Sequence, residues 1–241
     1  MPGRAIRPAA EAAPATRTVE RALDLLEAAA SASDGLTLTE LAQQTDLSAS
    51  TASRLLSTLQ LHRFLARTPD GRFGAGPRLR QLAVSAMRED PLYELAGPHL
   101  AALARETQET ANVGIALDDT RVLYLRQHSS PQFVRVAGWT GRTIPRRDTA
   151  LGAALDGDTG PDGFVVRRSS VEPDVTSIAA PIHGDGGVIV GALSVLAPRY
   201  RTTEAQEQTY GRHVVEHARE LSARVGLESA GELNDEIEEV A

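Results

Sequence analysis

Two groups of side chains in this 241-residue sequence could do chemistry. The first is a run of hydroxyls and arginines, Thr39, Ser48, Ser50, Thr51, Ser53, Arg54 and Ser57, with Arg72 further on. Hydroxyls exchange hydrogen bonds with base edges and phosphates, and arginine pairs bidentately with guanine or phosphate. No acidic residue occurs between Asp46 and Asp70, so Arg54, His62, Arg63 and Arg67 have no repelling carboxylate beside them in sequence. Such a surface suits approach to a nucleic-acid backbone. A solvated polar helix face is the plain alternative, because short amphipathic helix pairs also occur in proteins that touch no nucleic acid. The second group is His213-Val214-Val215-Glu216-His217, two histidines at i, i+4 in the order of an inverted zinc-protease motif. No third ligand stands nearby in sequence, so solvated helix histidines are the default reading and no metal or other cofactor is expected.

The elements that must position the first group can be read from period and caps. Thr37 and Glu40 have capping-box spacing, and Leu38, Leu41 and Ala42 give a short helix its apolar stripe. Thr45-Asp46-Leu47 breaks the period, and Ser48 offers a second N-cap. The next helix buries Ala52, Leu55, Leu56 and Leu59, which leaves Ser50, Ser53, Arg54 and Ser57 outward. Phe64 to Arg67 and Arg72-Phe73 read as strands closed by Pro69-Asp70-Gly71. Two helices and a hairpin make a winged helix-turn-helix. An earlier helix, Thr18 to Ala30, carries Val19, Ala22, Leu23, Leu25, Leu26 and Ala29 near helical periodicity and should pack beneath it, with Arg17 and Arg21 one turn apart, either reaching phosphates or simply solvated.

Pro77 opens a linker helix, residues 77–90, after the winged domain at 17–76. A helix over Leu92 to Glu109 follows, kinked or restarted at Pro98, and apolar faces here suit a second subunit. From Ala111 the period becomes two. Strands are predicted at Val113 to Leu117, Val122 to Gln127, Phe133 to Val136, Phe164 to Arg167, Val175 to Ile182 and Val188 to Leu196. A short helix spans Thr149 to Leu155, and a last one runs from Thr203 to about Val225. Helices flanking a mostly antiparallel sheet make an α+β domain over 91–227. Residues 1–16 read as a disordered arm, and 228–241 as a frayed acidic tail.

Composition narrows the function. All 25 basic residues are arginine; ten face eight acids in residues 1 to 80, and fifteen face 24 acids in the remainder. The basic part is therefore the helix-turn-helix part, despite a net charge of −7. The absence of cysteine excludes disulfides, thiolate metal sites and cysteine nucleophiles. No apolar run reaches about 18 residues and residues 1–15 lack a signal-peptide core, so a cytoplasmic protein is expected. Gly-x-Ser-x-Gly, a phosphate loop and His-Glu-x-x-His are all missing, which argues against an enzyme.

Several segments, taken in order, resemble the IclR-type transcriptional regulators: Arg21 to Leu26, Leu38 to Leu59, Asp70 to Phe73, Gly76 to Leu79, Thr149 to Ala154, Thr176 to Ile182 and Gly191 to Ser194. The resemblance implies a homodimer or dimer of dimers on a pseudo-palindromic double-stranded operator, with a GAF-like C-terminal domain that binds a small effector. Carried over by motif, Ser50, Thr51 and Arg54 face the major groove and Arg72 the backbone or minor groove. The effector cup is lined by the strand containing Val113, the helix start at Ala150 and Leu151, Ser177 and Ser194. This sensor domain is shortened, because only Asp156 to Asp162 stand where the family has a longer helical segment. Arg147 and Arg167-Arg168 replace a His and an acid common in the family, so an anionic effector, a carboxylate held by Arg147 or Arg167, is expected. Solvated or ion-paired arginines are the alternative, as is a sensor domain that only oligomerises.

Overall fold

The computed structural model describes residues 16–136 and 138–239, those from 227 onward as backbone alone. The arm expected at 1–16 thus falls, but for Thr16, outside the described residues. The chain divides into two compact units, with the boundary after Met87.

The first unit contains α1 (Arg17–Ser31), α2 (Leu38–Gln44), α3 (Ala49–Leu61), β1 (Leu65–Arg67), β2 (Phe73–Ala75) and α4 (Pro77–Arg88). The capping box forms: the Thr37 amide donates to Glu40 Oε2 at 2.7 Å, and the Glu40 amide donates to the Thr37 hydroxyl at 3.3 Å. Asp46, at φ +50°, makes the turn after α2, and the Leu47 amide reaches back to the Ala42 carbonyl at 2.9 Å. Aspartate tolerates this left-handed conformation, which otherwise favours glycine. Leu25, Ala29, Leu41, Ala52, Leu56 and Leu65 are buried together. Each buried leucine contributes roughly 1.5–3 kcal/mol. Antiparallel β1 and β2 form the wing, and a bridge from Leu36 to Phe73 ties it to the segment before α2.

The second unit adds α5 (Pro91–Thr107), β3 (Thr110–Ala116), β4 (Arg121–His128), β5 (Thr143–Pro145), α6 (Ala150–Leu155), β6 (Val165–Arg168), β7 (Val175–His183), β8 (Ile189–Pro198) and α7 (Glu204–Glu239). The strands form one antiparallel sheet in the order β5-β4-β3-β8-β7-β6. Side chains alternate between its faces. Val113, Ile178, Ala180, Leu193 and Val195 join the core with α5 and α7, whereas Val122, Tyr124, Ala179, Ala192 and Leu196 join the core with α6.

Several expectations need correction. Phe133 to Val136 is not a strand: Phe133 is 97% and Val134 55% exposed, while Val136 turns inward and its carbonyl accepts from the Thr110 hydroxyl. The edge beside β4 is taken instead by Thr143–Pro145, where a proline costs no ladder bond on its outer side. Pro98 lies within α5 without ending it. The last helix continues past Val225 to Glu239 in place of a frayed tail.

Candidate nucleic-acid interface and effector cup

The outer face of α3 is built by its caps. The Ser48 hydroxyl accepts from the Thr51 amide at 3.2 Å and lies 3.1 Å from the Ser50 hydroxyl and 2.9 Å from that of Thr51, which organises the helix start. Ser57 and Thr58 donate back to the carbonyls of Ser53 and Arg54, so these hydroxyls are engaged within the helix. Ser50, Ser53 and Arg54 are exposed, and the Arg54 guanidinium has no hydrogen-bond or ion-pair partner among the described residues. Arg21 and Thr51 share an open groove of about 510 Å³ with Arg54, formed between α1 and α3. Arg17 and Thr39 are exposed elsewhere on α1 and α2.

Arg72 is placed differently from the free wing-tip cation that its position suggested. Its Nη1 donates to the Gly35 carbonyl at 3.0 Å and approaches Glu40 Oε2 at 3.4 Å, and its Nε stands 3.5 Å from Asp70. Arg72 therefore locks the wing to the start of α2. At the wing turn, Arg67 lies over the Phe73 ring and donates to the Gly71 carbonyl at 3.3 Å.

In the second unit, a narrow pocket of about 10 Å³, near the room one water needs, lies under α6, with exposed Ser170 and Glu172 among its lining. Tyr124, Trp139, Thr149, Ala150, Leu151 and Ser177 line it, and Tyr124 and Trp139 pack with ring centres 5.2 Å apart. Burial raises the pKa of the Tyr124 phenol, with Glu172 adding to it, so the phenol stays neutral. Ser194 shares this sheet face, opposite Ala179 on β7 and Asn112 on β3. Asn112 and Ser194 are wholly buried, and both Asn112 side-chain polar atoms and Ser194 Oγ lack a hydrogen-bond partner among the described residues. Each such group costs about 1–3 kcal/mol unless something meets it.

Asn112 is absent from the expected residues, although a lone amide in the buried strand Ala111-Asn112-Val113 was a visible signal. Val113 is the reverse case: strand alternation turns it to the α5 and α7 side, away from the cup. Arg147 and Arg167 do not line the pocket under α6. They border a separate open cleft of about 640 Å³ together with Asp119, Asp148, Asp156 and Asp158. Arg167 sits opposite Ser177 across the β6–β7 ladder, but on the edge strand its guanidinium donates to the neighbouring Val166 carbonyl at 3.1 Å. The cleft that Arg147 and Arg167 border also holds Arg146, paired with Asp156, so three arginines face four aspartates there.

The chain thus joins a winged helix-turn-helix, whose third helix exposes Ser50, Ser53 and Arg54, to an α+β unit with a small pocket beneath α6. The IclR helix-turn-helix domain model matches residues 18–69, and the model of the bacterial transcriptional regulator IclR C-terminal domain matches 84–156 and 158–223. The chain belongs to the IclR family of transcriptional regulators. It is 30% identical to the HTH-type transcriptional regulator BhcR of Paracoccus denitrificans over 91% of each chain. It is 32% identical to the transcriptional repressor IclR of Escherichia coli over 62% of this chain and 56% of that protein. Among solved structures, an IclR transcriptional regulator from Alicyclobacillus acidocaldarius has a TM-score of 0.75 at 23% identity, covering 88% of this chain and all of that one. An IclR homologue from Microbacterium hydrocarbonoxydans, complexed with 4-hydroxybenzoate, has a TM-score of 0.72 at 21% identity, covering 86% of this chain and 98% of that one. The members found are regulators and not enzymes. No described helix is long and apolar enough to cross a membrane.

Proposed function

We propose that the chain binds a pseudo-palindromic operator as a homodimer or dimer of dimers, and that a small effector entering the cup of the second unit changes that binding. In this reading Ser50, Thr51 and Arg54 meet base edges in the major groove, while Arg17, Arg21, Thr39 and the Ser48 helix start meet phosphates. Arg72 acts by holding the wing. Exposed Val19 and Leu23 on α1, and Leu82 and Val84 on α4, offer apolar surface to a second copy.

The observation that carries the effector reading is the pair of buried, unpartnered residues Asn112 and Ser194, on the sheet face that Ser177 shares but outside the lining of the pocket under α6. A small ligand whose hydroxyl or carboxylate oxygens meet Asn112, Ser177 and Ser194, with its apolar part against Tyr124 and Trp139, satisfies them. An aromatic acid has this form, and the 4-hydroxybenzoate-bound relative is a precedent for the class. Titration of the full chain with small aliphatic and aromatic carboxylates by calorimetry, repeated on Asn112→Ala, tests this reading. Binding lost in the variant supports it. The small volume favours a second reading, a sensor unit that only oligomerises, and the absence of binding across the series selects it.

A further inference from the structure

Helices α5 and α7 pack on the sheet face opposite the cup, and there His99 of α5 meets His217 and Glu220 of α7. His99 Nδ1 lies 3.1 Å from His217 Nδ1 and 3.7 Å from Glu220 Oε2, and His217 Nδ1 lies 3.8 Å from the same oxygen. Ligand atoms around a tetrahedral zinc, each about 2.0–2.2 Å from the ion, stand roughly 3.3–3.6 Å apart. The triangle therefore fits a metal after shifts of a few tenths of an ångström.

The surroundings supply the orientation that such a site needs. Glu106 Oε2 lies 3.1 Å from His217 Nε2 and 3.3 Å from His213 Nδ1. A carboxylate on Nε2 holds the proton there and leaves the Nδ1 lone pair of His217 aimed into the triangle. An ionised Glu220 brings only acceptors. The contact between the two Nδ1 atoms needs either a proton on His99 Nδ1 or a cation between two lone pairs, and His99 Nε2 is buried with no partner among the described residues. His99 is 8% exposed, whereas the Glu220 side chain is 59% exposed, so the triangle is walled on the imidazole side and open to a water at the carboxylate side. The histidines of α7 are thus not simply solvated. Of the two motif histidines only His217 enters the triangle, and His99 lies 118 positions away from it, beyond the reach of any local motif.

We propose that His99, His217 and Glu220 form a divalent transition-metal site between α5 and α7, with Glu106 as the positioning residue for His217. Two imidazoles and one carboxylate select zinc or a similar borderline ion over calcium and magnesium, which require all-oxygen shells. A bound ion braces α5 against α7, apart from the cup.

The test uses the full chain without a histidine tag, stripped by a chelator and titrated with zinc chloride in a calorimeter. One zinc binds per chain, saturating zinc raises Tm, and cobalt in its place gives the intense visible absorption of four-coordinate geometry. His217→Asn and Glu220→Gln each weaken zinc binding about tenfold or more, and Glu106→Gln weakens it about 10–100-fold with little change in the Tm of the metal-free chain. Glu216→Gln, on the exposed side of α7, leaves the affinity unchanged. No stoichiometric uptake, or the same affinity in wild type, His217→Asn and Glu220→Gln, overturns the proposal.

Discussion

Arg54 keeps its guanidinium free on the outer face of α3, whereas Arg72 commits its donors to Gly35, Glu40 and Asp70. Their substitutions should therefore differ in kind. Arg54→Ala should lose about 1–3 kcal/mol of discrimination at one base pair of each half-site, measured by fluorescence anisotropy across operator variants. Arg72→Ala should lower Tm and weaken all DNA sequences evenly, because it frees the wing. Asn112 invites the opposite trade. Asn112→Leu replaces unpartnered polar atoms by apolar ones of similar volume, so Tm should hold or rise while the response to effector disappears. A variant that loses stability and keeps its ligand would place the binding site elsewhere.

At the scale of elements, α2 depends on its cap and α3 on its buried stripe. The Thr37 amide, then the Thr37 hydroxyl and Arg72, hold the Glu40 carboxyl below its ordinary 4.5. A carboxylate whose folded pKa is depressed contributes stability above its unfolded pKa and loses it as pH falls through the folded one. Acidification below 4.5 should therefore loosen the start of α2. Amide exchange over Leu38–Gln44 should rise on acidification in wild type beyond the intrinsic rate, and change less in Glu40→Gln. Leu56→Ala should cost about 2–5 kcal/mol in urea unfolding, because the site is closed on all sides by Leu25, Leu41 and Leu65.

For the whole molecule, residues distant in sequence in the second unit are tied by Arg201, which donates to both carboxylate oxygens of buried Glu109, at 2.6 and 2.7 Å, and to the Val134 carbonyl at 3.1 Å. Arg201→Ala leaves Glu109, 3% exposed, without its counter-charge and should cost about 3 kcal/mol, read from Tm. If the regulator works as a two-fold dimer, half-sites must keep a fixed helical phase. Inserting about half a DNA turn between them should abolish tight binding in a gel-shift assay, and inserting a full turn of roughly 34–36 Å should restore part of it.

What was legible in the sequence is what local chemistry dictates. Thr37 and Glu40 declared the cap, Leu41, Ala52 and Leu56 the buried stripe, and alternation from Ala111 the sheet, because caps and periods act within a few residues. The order of motifs along the chain was enough to indicate the family. Tertiary structure alone decided where long-range partners lie. It turned Val113 to the helical side, set Arg147 and Arg167 on a cleft apart from the pocket under α6, placed unpartnered Asn112 beside Ser194, and joined His99 to His217. Each of these depends on strand register or helix contact between residues distant in sequence, and no local periodicity carries that information.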